Sequence, residues 1–177
     1  MSTSGRMPEA YELILNRKSI RSFTNEPVAD EIIEAVLLAG QRAPSGKNNQ
    51  PWRFVIVKDK DMRMVIAGET HYGSIVAQAP VIIPVFIDRE EVYDTLKDHQ
   101  AIGACLENML LAAQALGLGA VWLGEILKNK EAVRKHLGLE SRYDLMAVLA
   151  IGHPKEKDRE SRTSRKLLEA AVLKRFD

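Results

Sequence analysis

The stretch LKDHQAIGACLENMLLAAQAL, residues 96–116, followed by GLGAVWL, residues 117–123, decides how the rest of the chain is read. Ala101, Ile102, Ala104, Cys105, Leu106, Met109, Leu110, Leu111, Ala112, Ala113 and Leu116 recur at helical spacing and nearly encircle the axis. A helix apolar on most sides is a central one, packed on several faces. Gly117 fits the left-handed residue that ends such a helix, and residues 120–123 then read as a strand.

Working outward, residues 52–57 and 81–87 are short apolar, β-branched runs bounded by turn or charged residues, and both predict strands. Pro84 makes the second an edge strand or one that is bulged there. Residues 145–151 read as a buried strand and residues 130–137 as an exposed helix. Upstream, residues 9–15 predict a short helix. Residues 30–42, with Ile32, Ile33, Val36, Leu37 and then Ala43, predict an amphipathic one, capped by Asp30 and closed by Pro44. Strands interspersed with helices place the chain among α+β or mixed α/β proteins. With no internal repeat, low-complexity tract or flexible linker, one domain over residues 1–177 is expected.

The chain has 25 Lys+Arg against 24 Asp+Glu, a net charge of +1, and 46% hydrophobic residues. This balance provides no global positive field, so neither nucleic acid nor an anionic membrane is an expected partner. The single cysteine, Cys105, sits in the apolar helical pattern and reads as a buried thiol in a reducing, cytoplasmic compartment. Residues 1–8 lack the apolar core of an export signal. The longest apolar run, residues 79–87, holds two prolines and is about half of what a membrane span requires.

The glycines at 117, 119 and 124 invite a dinucleotide- or phosphate-loop reading and fail it: the helix precedes the strand, and Glu125 and Ile126 stand where a Walker loop needs Lys and Ser or Thr. His71, His99, His136 and His153 show no ligand spacing, and no serine sits in a nucleophile elbow. Catalysis in such a chain belongs to a cofactor. Two polar segments remain. In an extended backbone Arg17, Ser19 and Arg21 share a face and could surround a phosphate, although a solvated charge run at a helix end explains the same spacing. Residues 42–52 hold three carboxamides, one hydroxyl and a lysine without a carboxylate. Such a loop suits the polar edge of a ring, or an ordinary turn.

Taken in order, Arg17-Lys18-Ser19-Ile20-Arg21-Ser22-Phe23, Ala43-Pro44-Ser45-Gly46-Lys47-Asn48-Asn49-Gln50-Pro51-Trp52-Arg53-Phe54, residues 108–113 through 116–124, Ile151-Gly152-His153-Pro154 and Arg165-Lys166-Leu167-Leu168-Glu169 resemble the signatures of the nitroreductase family of flavin enzymes, as a short-chain member. The resemblance implies a three-layer fold, a central mixed, mainly antiparallel sheet flanked by helices, in an intertwined homodimer with two FMN sites at its interface. It implies that Arg17, Lys18, Ser19 and Arg21 hold the FMN phosphate and ribityl end, with Arg165 reaching the same phosphate. Pro44, Ser45, Gly46, Asn48 and Gln50 match the loop that reaches the flavin from the other subunit. Leu123, Gly124 and Glu125 match the turn whose amides approach its N5 and O4 region. The implied chemistry is a ping-pong exchange in which NAD(P)H gives hydride to flavin N5 and a small acceptor, such as a nitroaromatic or quinone, then takes the electrons. No side chain acts as an obligate acid or base, and no metal is expected. Same-fold alternatives are reductive dehalogenation, flavin fragmentation, or a flavin-binding protein without turnover. Gly46 stands where some members have serine, Thr163 where some have lysine, and the short chain implies an open pocket. The polar tail, residues 153–166, leads to an amphipathic stretch, residues 167–176, expected to pack on this subunit or a partner.

Overall fold

A computed structural model describes residues 8–159 and 164–176. The helices are α1 (Glu9–Leu15), α2 (Asp30–Gln41), α3 (Lys60–Ala67), α4 (Gly73–Gln78), α5 (Thr95–Ala115), α6 (Lys130–His136) and α7 (Glu156–Arg159). The strands are β1 (Trp52–Phe54), β2 (Val81–Asp88), β3 (Gly119–Leu123) and β4 (Tyr143–Gly152), paired antiparallel throughout in the order β1-β2-β4-β3. Among the described residues no strand supplies the parallel pairing that a mixed sheet includes.

Alternation along the strands divides the interior into two cores. Val81, Ile83 and Val85 of β2 and Ala147, Leu149 and Ile151 of β4 face α2 and α5. Ile82, Phe86, Val148 and Ala150 face α3, α4 and α6 with the segment Glu125–Asn129. The result is the three-layer α+β arrangement, with the sheet between two helical layers.

The helix that opened the sequence reading is α5, and its end follows from Gly117. The Gly117 amide donates to Gln114 O (3.0 Å) and the Leu118 amide to Ala113 O (2.8 Å), while Gly117 takes φ +77°. That is a Schellman cap, which an L side chain at 117 would strain. Midway along α5 Cys105 is buried, and desolvation pushes its thiol up to about 12. Gly40 of α2 lets the two helices touch, since a Cβ there would lie 2.8 Å from Met109 Cγ and 3.0 Å from Cys105 Sγ.

Four elements, β1, α2, α3 and α4, differ from the sequence expectations. Residues 52–57 form a strand only to Phe54, with Val57 returning as an isolated bridge to Ile82. The cause is Pro84. The Val55 amide donates to Pro84 O at 3.0 Å, but Pro84 has no N–H to return the bond. The ladder stops opposite it, and β2 is an inner strand whose pairing with β4 shifts register between Val85 and Phe86, where Met146 of β4 is the extra residue. Asp30 does not cap α2. Its N-cap is Ala29, and the Asp30 carboxylate pairs with Lys58. Helices α3 and α4 lie where no element was expected.

Candidate functional site

The basic segment is annexed to the edge of the sheet. The Ile20 amide donates to Ala120 O (3.0 Å), and Phe23 bridges Pro154 just past the end of β4. Phe23 therefore lies at the Gly119 end of β3 and Ile20 beside Ala120, with Arg17, Lys18 and Ser19 preceding Ile20 in the chain. Gly119 makes the approach possible, because a Cβ there would lie 2.5 Å from Ile20 Cγ2. Ile20 and Ser22 point inward and are buried, while Arg21 is exposed. Its guanidinium meets only the Ser19 carbonyl, at 3.4 Å, among the described residues. Arg17 is already committed, with Nε 3.0 Å from Glu107 Oε1 on α5.

Two residues outside the sequence reading hold this segment straight. Asp158 of α7 accepts from the amides of Arg21 (3.2 Å) and Ser22 (2.8 Å) and from the Ser22 hydroxyl (2.7 Å). Gln78 at the end of α4 donates to Arg21 O (3.0 Å). Neither carries a local signal in the sequence, since each acts across more than fifty positions.

At the end of β3, Gly124 takes an ordinary φ of −102°, and a Cβ would meet only Trp122 Nε1, at 3.9 Å. Neither backbone strain nor internal packing calls for glycine there, so the space it leaves faces outward. Among the described residues the amides of Gly124 and Glu125 donate no hydrogen bond. The Glu125 side chain turns away from that face. Its Oε2 accepts from the Thr70 hydroxyl (2.7 Å) and the His71 amide (2.9 Å), and its Oε1 pairs with Lys128. These contacts, that of Lys128 foremost, hold the carboxyl down at about 2. Asn129 donates to Glu69 O (3.0 Å), and His136 Nε2 lies 2.9 Å from Glu69 Oε1, so residues 69–71 are latched to the segment that begins at Glu125.

The carboxamide loop sits elsewhere on the subunit. Lys47, Asn48 and Gln50 all take positive φ (53°, 56° and 47°), a cluster of sparsely populated backbone of the kind that persists where surrounding contacts over-determine it. Ser45 Oγ accepts from the Gln50 amide (3.1 Å), and Asn49 Nδ2 donates to Glu91 O (2.8 Å) and to Asp98 Oδ1 (2.9 Å). Asp98 is buried in the first turn of α5 and also accepts from the amides of Tyr93 and Asp94. The anchor is thus Asn49, not Asn48, and its partner is a buried acid in the first turn of α5. Pro44, Ser45 and Gly46 line a depression of about 230 Å³ with Lys97, Gln100, Ala101 and Ala104 of α5. Arg17 meets the same helix further on, at Glu107.

One chain therefore docks the segment of Lys18, Ser19 and Arg21 on the edge of β3, the strand that runs into Leu123, Gly124 and Glu125, and carries Pro44, Ser45, Gly46, Asn48 and Gln50 as a second group on the loop before β1. Arg165 joins neither: among the described residues its guanidinium contacts only Ser164 O, at 3.2 Å. Arg162 and Thr163 lie outside the described residues. Among the described residues no group of three or more His, Cys, Asp or Glu side chains could hold a metal ion, and no helix is long and apolar enough to cross a membrane.

The sequence matches the nitroreductase family over residues 14–70 and 63–153. An Archaeoglobus fulgidus protein provisionally named as an NADH dehydrogenase/NAD(P)H nitroreductase is 36% identical over 156 residues, which cover 86% of this chain and 90% of the relative. A crystal structure of a provisionally named nitroreductase from Desulfovibrio desulfuricans in complex with FMN superposes with a TM-score of 0.92 at 44% identity, covering 97% of this chain and 99% of that one. The NADPH:FMN oxidoreductase of Vibrio harveyi complexed with NAD+ gives a TM-score of 0.85 at 27% identity, covering 95% of this chain and 77% of that one.

Proposed function

The chain belongs to the nitroreductase family, and we propose that it is an FMN-dependent oxidoreductase carrying electrons from NAD(P)H to a small acceptor such as a nitroaromatic or quinone. The observation that carries this reading is a basic segment docked on the edge of β3, with Arg21 exposed, on the same strand that ends in a glycine turn whose two amides donate no hydrogen bond among the described residues. The residues fit FMN. A phosphate needs several donors, and Arg21, Lys18 and Ser19 offer them on one short run of backbone. A flat ring edge needs close backbone approach, which the open face of Gly124 allows. When bound, FMN supplies the chemistry: it accepts hydride from the nicotinamide at N5 and delivers electrons to the acceptor that replaces it.

The chain's own part is to bind, orient and bias. Arg21 and Lys18 neutralise the phosphate and so fix the long axis of the cofactor. The Gly124 and Glu125 amides point donors at the ring edge where negative charge develops, an arrangement that costs no reorganisation during the reaction. The latch from Thr70 and His71 keeps the Glu125 carboxylate turned away from that edge.

The proposed functional unit is a homodimer in which the 44–50 loop enters the partner's FMN site. Three features support it. The two groups of site residues lie apart on one subunit. Helix α1 leaves Tyr11, Ile14 and Leu15 at 43%, 55% and 61% exposure. The C-terminal segment contributes nothing to its own core, with Leu173 at 98% and Phe176 at 85%. This exposure supports packing of residues 167–176 on a partner rather than on this subunit.

The purified protein should be yellow and should bleach on anaerobic addition of NADH or NADPH, with colour returning when a nitroaromatic or quinone is added. Protein that is colourless and takes up no added FMN refutes the reading. Yellow protein that neither nucleotide bleaches leaves it a flavin-binding protein without this turnover.

A further inference from the structure

We propose that Tyr93 is a cofactor-binding residue, its phenol delivering to the FMN site the hydroxyl that Gly46 lacks; this rests on the reading that the 44–50 loop enters that site. Tyr93 lies in the turn before α5, forty-seven positions from Gly46, yet the two are built into one another. A Cβ on Gly46 would lie 1.9 Å from Tyr93 Oη and 2.5 Å from Cε1 and Cζ. The phenol hydroxyl therefore fills the volume that a side chain at 46 would take. A serine there would carry its own hydroxyl within about 1.5 Å of its Cβ, in the same space.

The ring is held for this task. The Tyr93 amide donates to buried Asp98 Oδ2 at 2.9 Å. Asp98 also binds Asn49 of the loop, so loop and tyrosine share one anchor. Lys47 Nζ lies 5.0 Å and Lys97 Nζ 5.5 Å from the ring centroid, two cations that pin the ring by its quadrupole. Asp94, which N-caps α5 through the Lys97 amide, also holds the Lys97 ammonium at 3.6 Å. Tyr93 remains 38% exposed, and among the described residues its hydroxyl makes no hydrogen bond. An exposed hydroxyl set against Gly46 of the 44–50 loop is placed to donate to a ligand that this loop meets. The polar edge of the flavin or its ribityl chain supplies one.

The assignment is tested by FMN affinity, read from flavin fluorescence on titration of the apoprotein, with four proteins side by side. Tyr93→Phe keeps the ring, its packing and the cation contacts, and removes only the hydroxyl. It should weaken FMN about threefold to tenfold, the worth of one hydrogen bond. Gly46→Ser should weaken FMN further, because the serine and Tyr93 compete for one place. Gly46→Ser with Tyr93→Ala should recover affinity to within about twofold of the wild type, since the hydroxyl returns on the loop and the collision is gone. Tyr93→Phe binding FMN as the wild type does, or a double variant no better than Gly46→Ser alone, overturns the assignment while leaving the FMN reading standing. Wild-type protein that binds no FMN overturns both.

Discussion

Arg21 is the residue on which the phosphate reading rests most directly, because its guanidinium is exposed and lightly engaged while its backbone is fixed by Asp158 and Gln78. A charge-assisted hydrogen bond is worth about 1.5–3 kcal/mol, so Arg21→Ala should raise the FMN dissociation constant at least tenfold without lowering the melting temperature. Arg17→Ala should act differently: with its guanidinium on Glu107, it should affect how α1 and its following segment seat on α5 more than it affects phosphate. Glu125 gives a pH signature. Its carboxyl is held at about 2 in the folded protein, against 4.5 unperturbed, first by Lys128 and then by Thr70 and His71. A carboxyl with a depressed folded pKa contributes stability that is present above the unfolded value and is lost as pH falls toward the folded one. Glu125→Gln should therefore melt below the wild type at pH 7, and the difference should shrink between about pH 4.5 and 2; a constant gap across that window would show that the carboxylate's charge is not what the latch uses. The role of Asn49 was invisible at this scale because neighbouring asparagines look alike in sequence. Only the fold decides that position 49 faces Asp98 while position 48 takes φ +56° at the exposed tip.

At the scale of elements, β3 carries two tasks, pairing with β4 on one edge and with Ile20 on the other. Gly119 serves the second, since Ile20 is 4% exposed and occupies the place of a Cβ there. Gly119→Val should push Ile20 off the strand at a cost of about 1–3 kcal/mol in denaturant unfolding. It should also weaken FMN, because Ser19 and Arg21 flank Ile20; destabilisation with unchanged FMN affinity would separate the edge from the site. The same elements explain what sequence could disclose. Helix α5, its Gly117 cap and β3 were legible because an apolar helix followed by glycine and a β-branched run satisfies one pattern over many residues. The shortening of β1 was not, because it depends on Pro84 standing opposite Val55, a register that exists only after β2 and β1 pair. Helices α3 and α4, eight and six residues long, escaped the sequence expectations. Asp59 does cap α3, accepting from the Met62 amide at 2.8 Å, and that acid two residues past Val57 was their one local mark.

At the scale of the whole molecule, the near-neutral charge conceals an uneven distribution. Arg21 and Lys18 gather at the β3 edge, while the 44–50 loop and Tyr93 gather at the start of α5. The proposed dimer joins the two groups across subunits, and that geometry has a consequence no single-chain site shares. Take Arg21→Ala in one chain and Ser45→Ala with Asn48→Ala in the other, each of which should bind FMN weakly as a homodimer. In the mixed dimer, one site receives both defects and the other receives neither. The purified heterodimer, separated by distinct affinity tags, should bind one FMN per two chains with wild-type affinity. Were each site built within one chain, both sites would carry a defect and the heterodimer would bind as poorly as its parents. Deleting residues 164–177 should shift the protein toward monomer in sedimentation velocity, because an arm with Leu173 and Phe176 almost wholly exposed has no burial to lose except against a second chain.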